Sequence, residues 1–352
     1  MKTSRTTSLE LCLPIKSFGK VLFLAMGGGG DIAMAATLAL AYERCCGKAI
    51  IGSILWERYV VDPLPGPISI DELFNIVEKG YGYAILDKYT FALRGGRAIT
   101  PQAVNVSTIL NKEVIAFDVY GGSAGLAKAL DVFRARYGVN EIIGVDVGGD
   151  AIAEGFEENL WSPLADAIVA AALSRLDNTY IAIASPSADG ELQLDYVERR
   201  LRRIARLGGY IGGYLLSNKD LEVLRQILEK VTSEASTIPL KVVSTDLDTI
   251  VIRKESRSVK LSMMELAVFI LDSVITVRDS IARYVYETSS FDEAKEILNK
   301  LTIATEYDLE EEVFKELSEK GSYAEINLVE IKNRIKGSLL KHHIIVDKNV
   351  KP

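Results

Sequence analysis

The chain has 352 residues, of which 48% are hydrophobic; this is enough to bury a large core and excludes global disorder. Its 41 Lys and Arg stand against 48 Asp and Glu, and the net charge of −7 argues against a general nucleic-acid binder, whose footprint is a basic face. No apolar run approaches the ~18 residues of a membrane span, and the first residues are too polar for a signal peptide.

Residues 1–16 are expected to form a tail or an added edge element. Residues 20–25 (KVLFLA) read as a buried strand, followed by Gly27, Gly28, Gly29, Gly30 and Asp31, then by an alanine-rich helix over 32–42 and a second strand over 49–55. Strand, glycine turn, helix and strand make a right-handed βαβ unit. Trp56, Glu57 and Arg58 follow the second strand, and three prolines between 62 and 67 exclude helix or central strand. Residues 68–100 carry no clear pattern. A helix is expected from 101 to 110, a third strand over 114–117, and a helix over 126–137 after the DVYGGSAG turn of 118–125.

The fourth strand, around Ile142 to Val145, opens into a loop holding Asp146, Gly148, Gly149, Asp150, Glu154, Gly155, Glu157 and Glu158. Ser162-Pro163 signals the helix that follows. Residues 180–184 form a fifth strand, and 195–207 an amphipathic helix whose Arg199, Arg200, Arg202, Arg203 and Arg206 read as a solvated face. Residues 208–213 read as a flexible turn, 218–231 as a helix and 240–244 as a sixth strand. From 256 onward the chain reads as helical. Strands alternating with helices give an α/β fold with a mostly parallel sheet covered on both faces, in which ligands sit beyond the carboxyl ends of the strands.

Gly28, Gly30 and Ala33 fit G-x-G-x-x-A, the dinucleotide pattern, in its proper context. Asp31 opposes that reading: a phosphate and a carboxylate about 4 Å apart repel by roughly 4 kcal/mol at an effective dielectric near 20. Asp31 is readable as the helix N-cap or as a ligand contact. Gly121, Gly122 and Ser123 open a helix and offer an anion cradle, with Asp118 close enough to hold a bridging magnesium. Asp146 and Asp150 flank the pair Gly148 and Gly149. With Asp118 they are the expected catalytic acids and a Mg²⁺ or Mn²⁺ site, since hard cations take oxygen ligands. Asp166 is read as a support for this loop, and Glu157 as a partner for sugar hydroxyls. Trp56 can stack on a base or cover the core, and Arg58 can pair with a phosphate or with Glu57. Ser185 and Ser187 lie at another strand end, without a nucleophile-elbow pattern. The two histidines, His342 and His343, fall at the far C-terminus, so acid–base work is assigned to carboxylates or a metal-bound water. Cys12, Cys45 and Cys46 lack zinc or redox spacing, which predicts reduced thiols and a cytoplasmic location.

GGGGD after the first strand, WER and DPLPGP after the second, DVYGGSAG, and GVDVGGD with EG-x-E and SPLADA together resemble an uncharacterised, largely archaeal domain-of-unknown-function family over about residues 20 to 250. The resemblance implies a Rossmann-like three-layer sandwich, here 17–255, and carries no established activity. The remaining 256–352 are expected as a helical portion. The leading expectation is an enzyme that binds a nucleotide or phosphorylated small molecule and performs metal-assisted hydrolase or transferase chemistry. An NAD(P)-dependent oxidoreductase is one alternative. A non-catalytic ligand-binding or assembly protein, dimeric through its helical portion, is another.

Overall fold

Strand β1 (Lys20–Ala25) shows why the sheet is central: Val21, Phe23 and Ala25 face one hydrophobic cluster, Leu22 and Leu24 the other, and all are buried. The computed structural model describes the chain apart from residues 1–12, 15–18, 28, 60, 254–255, 322–325 and 350–352. Most of the expected tail, together with Gly28, therefore lies outside the described residues.

Nine strands form the main sheet: β1, β2 (Lys48–Ile54), β3 (Glu78–Gly80), β4 (Tyr83–Leu86), β5 (Val114–Phe117), β6 (Glu141–Val147), β7 (Thr179–Ala184), β8 (Tyr210–Leu215) and β9 (Ala267–Asp272). Their spatial order is β8-β9-β7-β6-β1-β2-β5-β4-β3. The centre, β7-β6-β1-β2-β5, is parallel and the margins are antiparallel. Helices α1 (Asp31–Cys45), α2 (Gln102–Leu110), α6 (Asn218–Ile227) and α7 (Glu234–Val242) cover one face. The other is covered by α3 (Gly122–Tyr137), α4 (Pro163–Leu173), α5 (Leu194–Arg206), α8 (Ser273–Arg278) and α9 (Phe291–Lys300). The result is a Rossmann-like sandwich with a helical C-terminus. Its last helices, α10 (Glu306–Lys320) and α11 (Leu328–Asn349), pack on Trp161 through Val313, Ile331 and Ile335. No helix among the described residues is long and apolar enough to cross a membrane.

Three expected elements differ. The run expected as a strand at 240–244 largely belongs to α7, whose Ser233 caps the helix by accepting from the Ser236 amide. The expected turn at 208–213 becomes β8, because the antiparallel β9 supplies the pairing partner. The helical portion begins at Ser273 rather than 256: Arg257–Lys260 pairs as a strand with Thr249–Ile252, and β9, five apolar residues and Asp272, is inserted between β7 and β8, where periodicity alone does not separate such a run from a buried helix. The unpatterned stretch 68–100 supplies β3, β4 and a small sheet of three short strands (Leu73–Phe74, Phe91–Arg94 and Arg97–Ile99).

The chain lays β2 and β5 on one side of β1, then returns to lay β6 and β7 on the other. The reversal makes the carboxyl ends of β1 and β6 the switch point of the sheet, the crevice position at which ligands bind in open parallel sheets.

Candidate functional site

Carboxylates fill that crevice. Asp31 is the first residue of α1, and Gly30 rather than Asp31 holds the cap position. The Asp31 side chain turns back over the glycine turn, where its Oδ2 accepts from the Gly27 amide at 2.8 Å. Asp146, the penultimate residue of β6, accepts from the amides of Ala151 (3.0 Å) and Gly149 (3.4 Å). Asp166 enters from the first turn of α4. One oxygen from each of these three lies within 4.8 Å of the others. Asp146 and Asp166 are buried and Asp31 is partly so, which puts Asp31 at the rim. Asp166 Oδ1 has no hydrogen-bond partner among the described residues. Burial, then the charge of Asp146, holds Asp31 and Asp166 well above the usual carboxylate range. Burial pushes Asp146 up to about 7, although the Ala151 amide works against it.

A second group adjoins the first: Asp150, Asp189 and Glu191, all buried. Gly148 and Gly149 have φ of 125° and 122°, a region that favours glycine. A Cβ at Gly148 would stand 2.5 Å from Asp189 Cγ, so this glycine is what lets the Asp189 carboxylate reach the backbone. Ser162 Oγ lies 2.6 Å from Glu191 Oε1 and 3.1 Å from Asp150 Oδ2. Burial, then its charged neighbours, raises Asp150 well above the usual range and Asp189 to about 6. Glu191 alone is lowered: burial opposes its charge, but Arg257, Ser162 and two amides outweigh it.

Three arginines bear on these six acids among the described residues: Arg257, Arg58 and, through its charge near Asp189, Arg253. Arg257 reaches Glu191 at 2.7 Å. Arg58, itself at φ 60°, donates to the Gly27 carbonyl at 2.8 Å and stacks 4.5 Å over the Trp56 ring. Its other nitrogen lies 3.8 Å from Glu306 and 3.9 Å from Glu310, both on α10. Glu306 accepts from the Leu164 and Ala165 amides at 2.9 Å each and so caps α4, the helix that carries Asp166. Ser185 and Ser187, at φ 48° and 71°, add to the unusual backbone at these strand ends. The Ser187 hydroxyl donates to Glu265 at 3.2 Å.

The structure separates several of the expected site residues. Asp118 directly follows β5, which β1 and β2 separate from β6; three strand spacings put it roughly 14 Å away. Its oxygens accept from Ser69, Ile70 and Tyr120, so the trio Asp118, Asp146 and Asp150 is not assembled. Asp31 and Asp166 stand beside Asp146 instead, while Asp150 joins the second group. The cradle at Gly121, Gly122 and Ser123 is closed by the chain itself. Ala124 donates to the Thr288 carbonyl, Ser123 donates to Thr288 Oγ1 and the Tyr286 carbonyl, and a Cβ at Gly122 would meet Ser290 and Thr288 at 2.8 Å. Trp56 is fully buried, donates to Glu310 at 2.8 Å and packs edge-on with Phe291 and Tyr307, so no face is open to a base. Glu57 accepts from the Gln102 amide, and burial pushes it up to about 8. Glu157 accepts from the Glu154 and Gly155 amides and from Tyr196, which engages both of its oxygens within its own loop. Around the first glycine turn, Gly29 has φ 27°, and a Cβ at Gly30 would stand 2.4 Å from Ser233 Oγ. Asp189, Glu191, Arg257, Glu306 and Glu310 are the site residues that reasoning from the sequence did not single out. The SPSADGE run after β7 was the available signal for the first two.

The chain belongs to the family described as "Protein of unknown function (DUF1152)", whose model matches residues 22–314. That span extends past the motif-bearing region and takes in Glu306 and Glu310 on α10. No curated protein and no solved structure matches the chain.

Proposed function

We propose that the protein is a divalent-cation-dependent enzyme of hydrolase or transferase type, with Asp31, Asp146 and Asp166 as the cation ligands. The observation that carries this reading is the clustering of three carboxylates in the crevice with Asp166 Oδ1 left without a partner. Charged acids in such a space repel one another, and a cation reverses the sign of that interaction. The ligand set is all oxygen, which suits Mg²⁺ or Mn²⁺. A hard cation held by two or three carboxylates keeps coordination positions for water or substrate phosphate, and there it polarises a phosphoryl oxygen or lowers the pKa of a bound water.

The substrate class follows from charge. Three arginines against six acids give a phosphorylated small molecule or nucleotide little purchase on the protein itself, so the cation is its anchor. Arg58, at the same rim as Asp31, is the side chain best placed to assist. A nicotinamide cofactor fits less well. A Cβ on Gly27 would stand 2.7 Å from Asp31 Oδ2 and 3.0 Å from Asp166 Oδ2, so two carboxylates occupy the side of the turn that a pyrophosphate needs.

Protein freed of metal with a chelator and titrated with Mn²⁺ tests this reading by calorimetry, followed by a screen of phosphate esters and nucleotides for Mn²⁺-dependent turnover. Asp146→Asn is expected to weaken Mn²⁺ binding by about 100-fold, on the order of 3 kcal/mol. Affinity equal to that of the unaltered protein would remove the reading.

A further inference from the structure

We infer that Asp150, Asp189 and Glu191 hold a second divalent cation beside the first. The inference rests on the cation reading of Asp31, Asp146 and Asp166. Its own support is an oxygen with nothing to bind. Asp150 is 4% exposed; its Oδ2 meets Ser162, and its Oδ1 has no hydrogen-bond partner among the described residues. A buried carboxylate oxygen left unpaired costs far more than one in water, so a stable arrangement supplies it with a proton, a donor or a cation, and a cation is the partner that serves three acids at once.

The positive side chains nearby do not fill that role. Arg257 directs one nitrogen to Glu191 Oε1 at 2.7 Å and another to the backbone carbonyl of Asp189 at 3.1 Å. The ammonium of Lys332, on α11, lies 4.7 Å over the Trp161 ring. Glu191 is already anchored by the Trp161 and Ser162 amides, the Ser162 hydroxyl and Arg257, so it presents a carboxylate fixed in place. Asp189 is fixed by Gly148 at its back and by the Glu191 amide at its Oδ1.

The two groups interact: Asp150 feels Asp146 and Asp166, and Asp146 feels Asp189. Adjoining cations of this kind clamp one phosphate between them, and they would replace the cradle that Thr288 and Ser290 close at Gly122.

The test counts Mn²⁺ per chain by equilibrium dialysis and reads the electron paramagnetic resonance spectrum of the loaded full-length protein. Two Mn²⁺ per chain with spin-coupled broadening is the expected result. Asp150→Asn and Asp189→Asn, each near in shape to the native residue and checked for native circular dichroism, should each leave one Mn²⁺ and an uncoupled spectrum. Asp31→Asn should leave the other. One Mn²⁺ per chain in the unaltered protein, abolished by Asp31→Asn but not by Asp150→Asn, overturns the second site and leaves the first. Two Mn²⁺ that persist in both Asp150→Asn and Asp189→Asn overturn the assignment to these residues. Absence of Mn²⁺ binding overturns both readings.

Discussion

The crevice and helix α5 each crowd like charges, with opposite consequences. On α5, Arg199, Arg202 and Arg206 are exposed along one helix; Arg203, also exposed, pairs with Asp279 at 2.8 Å, and the buried Arg200 is matched by Asp279 at 3.0 Å and Glu154 at 3.2 Å. Repulsion between exposed side chains three or four residues apart costs only about 0.2–0.5 kcal/mol, and salt screens it. In the crevice, five of six clustered carboxylates are buried, and burial removes them from the solvent that screens surface charges. Crowding at a surface needs no partner. Crowding in a low-dielectric crevice requires protons or cations, and this difference makes the crevice, and not α5, the candidate site.

The largest expected effect comes from removing a buried counter-charge. Arg58→Ala leaves Glu306 and Glu310 facing no cation, and urea unfolding should show a loss of about 3 kcal/mol, the low end for a broken buried pair because Arg58 keeps 24% exposure. A loss below about 1 kcal/mol would mean that the acids there are neutral. Next comes Asp166→Asn: Mn²⁺ affinity should fall about 100-fold, while the metal-free protein, relieved of a buried acid whose ionisation burial opposes, melts higher. A metal-free protein that melts lower would break the contrast with α5.

The third effect is a pH dependence whose sign is fixed by the raised acids. Asp189 at about 6 and Asp146 at about 7 bind protons more tightly folded than unfolded, where aspartate titrates near ~3.9. Their stabilising protonation is complete below about pH 4 and is lost as the pH rises through 6 and 7. The melting temperature of the metal-free protein should therefore fall between pH 5 and 8, with Mn²⁺ restoring part of it. Glu57 and Glu265, pushed to about 8 by burial outside the two acidic groups, account for a fall the cation does not restore. A flat profile would show that the crevice acids are not perturbed. The smallest effect is Arg202→Gln on α5, expected to change stability by no more than about 0.5 kcal/mol in the same urea assay. A larger change would mean that the arginine face is engaged after all.

The central strands were legible because KVLFLA, VIAF and YIAIA are short apolar runs bounded by turns. The acids at their ends, Asp31, Asp146 and Asp150, were legible because the carboxyl edge of a parallel sheet is where ligands bind. Strand order was not legible, and it decides which acids meet: Asp118 lies at a strand end as Asp146 does, but β6 returned to the far side of β1. Distant partners were hidden for the same reason. Capping acids are sought within a turn of the helix they cap, whereas Glu306 caps α4 from 142 residues beyond Leu164. The glycines at 121–125 carried the residues of an anion cradle, and nothing local announced that Thr288 and Ser290 would close it. The run LKVVS at 240–244 reads as strand from its paired valines; packing on α1 and α6 and the Ser233 cap draw its first three residues into α7.

The position of β9 has a consequence for how the molecule is made. Among the described residues β8 joins the sheet only through β9, and 51 residues separate the end of one from the start of the other. At ribosomal speeds of roughly 5–20 residues per second, β8 waits some seconds for its partner, and the edge of β7, which ends earlier in the chain, stays open longer still. Unpaired strand edges of this kind are where growing chains stick to one another. Sheet closure is thus a late event, and the step at which a holding chaperone would matter most.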